Sequence, residues 1–143
     1  MPEPPCDTGY RNSSKEMPLA VQIHNAYRSR AISHWLQTQG ISLIPVSRWA
    51  DIRSFEFCFD GLPIESTLAV GTHGTSKHRD DKRYFVEGLF TMLSRLRPHT
   101  LIVYGTITPE LFPPLLVSHI NIVQYESDCS RAHQKEVTID GRR

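Results

Sequence analysis

No stretch of this chain is apolar for anything near the roughly 20 residues of a membrane span. The N-terminus lacks the basic start and apolar core of a secretory signal. An excess of either charge is missing too. With Lys+Arg 16 against Asp+Glu 15 and a formal net charge of +1, no global field favours nucleic acid, so any basic face must be local. Cysteine is scarce: Cys6, Cys58 and Cys129 are odd in number and widely spaced. No Cys-x-x-Cys or His-x-x-x-His pair is present, which removes zinc-type spacing and a disulfide framework. Free thiols in a reducing, cytoplasmic setting are expected. The phosphate signatures G-x-x-x-x-G-K-[ST] and G-x-G-x-x-G are also absent, and no motif specifies a cofactor or a metal.

What remains is an ordinary globular composition, 39% hydrophobic and 22% charged over 143 residues, enough for one domain with a real core. Residues 1–17 are rich in proline and polar side chains and read as a disordered leader; 18–133 read as a single α/β domain and 134–143 as a polar tail. Pro18 suits the first position of a helix, and Leu19, Ile23, Ala26/Tyr27, Ala31 and Trp35 recur at helical spacing up to Gly40. That pattern predicts an amphipathic helix. A second runs from Arg79 to Arg97, with Tyr84/Phe85, Leu89, Met92/Leu93 and Leu96 as its apolar stripe.

Strands are expected at 41–46, 67–72, 100–105 and 120–125. Pro45 puts the first near a strand end or a sheet edge, because proline cannot donate to a ladder. Residues 47–63 read as a short helix-plus-loop crossover, and the connector after Thr108 as a few helical turns. Strands alternating with helical connectors imply a parallel sheet of about four strands joined by βαβ crossovers. An open doubly wound sheet is favoured over half of a barrel, since four strands cannot close a barrel alone.

Such a sheet presents its chemistry at the carboxyl ends of its strands. Gly71-Thr72-His73-Gly74 follows the second strand, Tyr104-Gly105-Thr106 ends the third, and Glu126-Ser127 follows the fourth. His73 is the candidate general base, with Glu126 or Asp51 as its carboxylate partner. Arg48, Trp49, Thr72, Gly74, Tyr104 and Thr106 are the candidate ligand-binding residues: arginine for a carboxylate or phosphate, tryptophan as an apolar cover, and loop N–H groups as an anion cradle. Each has a structural alternative, namely a tight βα turn, a histidine bonded to a backbone carbonyl, an Arg–Asp pair, or a tryptophan packed over the core. Arg28, Arg30, Arg79 and Arg83 could form a local basic face, although Asp80 and Asp81 interrupt it.

The run Pro18-Leu19-Ala20-Val21-Gln22-Ile23-His24-Asn25-Ala26-Tyr27-Arg28 resembles the opening of a bacterial domain-of-unknown-function family found in phages, plasmids and integrated elements. Arg48-Trp49-x-Asp51, Glu56-Phe57-Cys58-Phe59-Asp60-Gly61, Gly71-Thr72-His73-Gly74, Val103-Tyr104-Gly105 and Gln124-Tyr125-Glu126-Ser127 continue the resemblance in order. It implies a cytosolic, mobile-element setting and no reaction. Relatives in the family generally have a longer N-terminal portion, and many have cysteine where this chain has Thr75. The resemblance thus implies a shortened version and weakens a thiol mechanism. The leading expectation is a domain that binds a small anionic or nucleotide-like ligand at the strand rim. The alternatives are a non-catalytic nucleic-acid or protein-interaction module, or a fragment of a longer domain. No membrane partner is expected.

Overall fold

The structure, a computed structural model, describes residues 17–72 and 79–127. The expected leader and tail therefore fall almost entirely outside the described residues, as do His73 and Gly74. The chain forms an open, parallel α/β sheet in the order β1-β2-β3, with β1 Thr67–Gly71, β2 Thr100–Tyr104 and β3 Asn121–Tyr125. Thr67 pairs with Thr100 and Gly71 with Tyr104, while Thr100 pairs with Asn121 and Tyr104 with Tyr125. Helices α2 (Arg79–Leu96) and α3 (Pro114–Val117) are the crossovers. Among the described residues the strand order follows the sequence.

The first expected strand, 41–46, is reduced to a single parallel bridge between Val46 and Ala69. Pro45 explains the reduction. The bridge uses the carbonyl of Pro45 and the N–H of Ser47, so residue 45 faces β1. A further bridge one step toward the strand's start would need an N–H from residue 45, and proline has none.

Strands β1 and β2 alternate cleanly. Leu68, Val70, Leu101 and Val103 are buried on one face, whereas Gly71 and Tyr104 on the other are exposed. Helix α2 contributes Phe85, Leu89, Met92 and Leu96 to the core, matching the stripe read from its sequence. Phe55, Phe59, Leu62, Leu111 and Phe112 close the core from the loops.

Helix α1 (Leu19–Thr38) departs from expectation: Gln22 is its one buried residue. Its inward side is Gln22, Ala26, Arg30, Ser33 and Leu36, while Tyr27, Ile32 and Trp35 face solvent. The helix is held by hydrogen bonds to the crossover. Arg30 donates from Nη2 to the Cys58 carbonyl at 2.7 Å and from Nε to the Asp60 carbonyl at 3.0 Å. Gln22 Nε2 reaches the Met17 carbonyl at 2.9 Å and Asp51 Oδ2 at 3.4 Å. Periodicity located this helix, but it could not show which side would dock.

The crossover contains the 3₁₀ helix Ile52–Glu56, capped by Asp51. From α2, Arg95 Nη1 donates to the Phe55 carbonyl at 2.7 Å. Arg95 thus satisfies a carbonyl that a short helix leaves open at its C-terminal end, and Arg30 satisfies two in the turn that follows. Trp49 lies half-buried over α2, donating from Nε1 to the Tyr84 carbonyl at 3.1 Å, with its ring 5.3 Å from Phe85 and 5.9 Å from Phe59. Its indole rests on Gly88, where a Cβ would overlap the ring.

Candidate functional site

The carboxyl ends of the strands converge on one rim. Gly71, Tyr104 and Tyr125 stand in register across β1, β2 and β3. Arg48 lies two residues past the isolated Val46–Ala69 bridge, toward the same end of the sheet. Alternation places this row on the sheet face opposite the α2 core. Tyr104 is 41% exposed and Tyr125 57%, Arg48 is exposed, and no described residue lies within 4 Å of where a Gly71 Cβ would stand. A gap and two tyrosines therefore share one row, with Arg48 on its β1 side. Arg48 has no acidic partner among the described residues.

One step further, Thr72 is buried and its N–H donates to the Tyr104 carbonyl at 3.0 Å. Gly105 takes a positive φ of 121°, which turns the chain off β2, and its N–H donates to the Tyr125 carbonyl at 2.8 Å. Thr106 and Glu126 are exposed, and Ser127 is buried. Ser47, 2% exposed, has a hydroxyl with no hydrogen-bond partner among the described residues. Of the ligand-binding candidates, Arg48, Thr72, Tyr104 and Thr106 gather at the rim. Trp49 turns instead onto α2, and Gly74 is outside the described residues.

The catalytic candidates do not form a constellation among the described residues. His73 lies outside them, Glu126 is at the rim, and Asp51 caps the 3₁₀ helix. Asp51 accepts from the Arg53 N–H at 3.0 Å and from Arg53 Nη2 at 2.6 Å. The Arg53 hydrogen bond holds its carboxyl below the usual carboxylate range, against the opposing effect of burial. A depressed folded pKa contributes stability above the unfolded carboxylate value of about 3.9, which is lost as pH falls through the folded value. Asp51→Asn is therefore expected to flatten the stability curve below about pH 4. At neutral pH the cost should stay small, because asparagine caps about as well as aspartate and only the pairing with the exposed Arg53 is lost. Urea midpoints measured from pH 7 downward test this. A slope in that window identical to the parent's would refute the capping account.

Burial pushes the Cys58 thiol up to about 12, despite its Ser54 hydrogen bond and the nearby Arg30 and Arg95. It is protonated at neutral pH and unsuited to nucleophilic attack. No group of three or more His, Cys, Asp or Glu side chains among the described residues is arranged to hold a metal. Asp80 and Asp81 already occupy the first turn of α2, so its positive end is a poor further anion site. Of the four arginines of the expected basic face, Arg30 is committed to backbone carbonyls and Arg83 pairs with Glu87 at 2.8 Å.

Tyr125 is the rim residue that sequence reading passed over. Its strand was located, but only the register puts it beside Tyr104. No described helix is long and apolar enough to cross a membrane.

Two mycobacteriophage proteins are similar to this chain. The "Gene 1 protein" of Mycobacterium phage L5 is 40% identical over 91 residues, covering 64% of this chain and 40% of the relative. That of Mycobacterium phage D29 is 38% identical over 93 residues, covering 65% of this chain and 34% of the relative. The matched stretch thus spans well under half the length of either. No solved structure matches. The family model described as "Domain of unknown function (DUF4417)" matches residues 12–126, which include every described strand and helix, and the chain belongs to that family.

Proposed function

We propose that this domain binds a planar, anionic, nucleotide-like ligand on the row formed by Gly71, Tyr104 and Tyr125, with Arg48 on its β1 side. The observation that carries the reading is the register, which sets two exposed tyrosines side by side next to a glycine gap; on the β1 side lies an arginine with no acidic partner among the described residues. A base can stack on a tyrosine face, and a guanidinium fits a phosphate with two parallel hydrogen bonds. Gly71 leaves room for a ring to lie against the sheet. The role is binding, with Thr106 and Glu126 at the margin of the site.

Calorimetric titration with nucleosides, nucleoside monophosphates and a short single-stranded oligonucleotide tests the assignment. Monophosphates should bind and the matching nucleosides should bind more weakly. Tighter binding of the oligonucleotide would identify a nucleic-acid strand as the source of the base. Tyr104→Ala or Tyr125→Ala should remove about 1–3 kcal/mol, a loss of roughly tenfold to a hundredfold. All of these side chains are exposed, so the fold should survive. Absence of binding by every probe, or affinities unchanged in Arg48→Ala and both tyrosine variants, would sink the proposal.

A further inference from the structure

The outer edge of segment 41–46 has a backbone pattern that selects its own kind of partner. We infer that this edge pairs antiparallel with the same edge of a second copy of the chain, continuing the sheet across a two-fold axis. Pro45 and Ser47 turn their backbone groups toward β1. Backbone groups alternate sides along an extended chain, so Val46 at the bridge directs its N–H and C=O away from the sheet, and an edge that pairs as a strand turns those of Ile44 and Ser42 the same way. No hydrogen bond among the described residues uses those groups.

Natural edges are usually blocked by charge, proline or a bulge. This edge has no charged residue between Ile41 and Val46, and its proline faces inward. Centring Ile44 on Ile44 of the second copy sets Ser42 opposite Val46. Every pair that must exchange ladder hydrogen bonds is then made of outward-facing residues. Pro45 falls at a position that needs no N–H. The same edge is therefore donor and acceptor to itself, and two neutral segments meet without like-charge repulsion.

Side chains point the same way. Of the 15 large hydrophobic residues exposed in the described chain, nine lie between Leu19 and Val46, among them Ile41, Ile44 and Val46. No Asp or Glu occurs between Met17 and Ala50, and the charges of this stretch, Arg28, Arg30 and Arg48, all lie outside 41–46.

Sedimentation velocity on the full chain tests the pairing. The parent should sediment as a dimer. Ile44→Pro, which removes an outward N–H that no described residue uses, should be monomeric with an unchanged far-ultraviolet dichroism spectrum. Ile44→Lys provides a second test should the proline variant fold poorly, and it too should be monomeric. Leu115→Lys alters an apolar side chain 94% exposed elsewhere and should remain dimeric. A monomeric parent would overturn the inference, as it would if the edge took a different partner. A dimer retained in Ile44→Lys would overturn it equally.

Discussion

Gly88→Ala should lower the melting temperature by about 10 °C, corresponding to a loss of about 2–3 kcal/mol. On helix propensity alone the opposite is expected, because alanine in a helix interior is favoured over glycine by about 1 kcal/mol. Packing decides the sign. A Cβ at residue 88 would overlap the Trp49 indole along Cδ1, Nε1 and Cε2, leaving no soft end of a flexible chain to move aside. The indole is also fixed at its far side by Phe59 and Phe85 and at its nitrogen by the Tyr84 carbonyl. Relief requires moving the ring out, which breaks that hydrogen bond and opens the aromatic cluster. Thermal unfolding followed by near-ultraviolet dichroism reports both the stability and the ring environment. The double variant Gly88→Ala/Trp49→Leu should be less destabilised than the sum of its single changes, because the steric conflict is removed with the ring. Should Gly88→Ala melt at or above the parent temperature, the close approach of indole and helix would be wrong.

Leu101→Ala is expected to cost about 3–4 kcal/mol, a large share of the roughly 5–15 kcal/mol that holds a domain together. Leu101 is 0% exposed and sits on the central strand, paired with Leu68 on one side and Ile122 on the other. The sheet backbone cannot collapse into the gap without breaking two ladders, so the site retains most of the cavity. In urea the midpoint should fall while the slope stays constant, the signature of lost stability without a change in what unfolds. Leu115→Ala, at a position 94% exposed, should change stability by less than about 0.5 kcal/mol. If the two leucines gave equal effects, the core would not lie where the burial places it.

The parallel sheet was legible because its three strands are short apolar runs, the first two of them flanked by glycine and proline, and their limits agree with the observed ones to within a residue. Helix α2 was equally plain, since one apolar stripe packs on one sheet face. Helix α1 was readable as a helix but not in its orientation. Its apolar residues spread around much of the cylinder, and the side chains that dock it, Gln22 and Arg30, look like surface residues until their carbonyl and carboxylate partners are known. Arg48 and Tyr104 could be assigned to the rim because strand ends are marked in sequence. The alignment of Tyr104 with Tyr125 could not, since register comes from the crossovers and leaves no mark on any single strand. Trp49 and Asp51 were candidates by residue type. A distant contact, the α2 glycine, directs the first to packing, and a local one, the Arg53 fork two residues on, directs the second to capping.

The polar attachment of α1 has a thermodynamic consequence. Hydrophobic contacts carry a large heat capacity and weaken on cooling, whereas hydrogen bonds to carbonyl and carboxylate oxygens carry little of it. Helix α1 buries one glutamine and no large apolar side chain. The heat-capacity increment of unfolding therefore belongs to the sheet and α2, and the docking of α1 is largely enthalpic. Cold and heat act differently on the two halves of this domain.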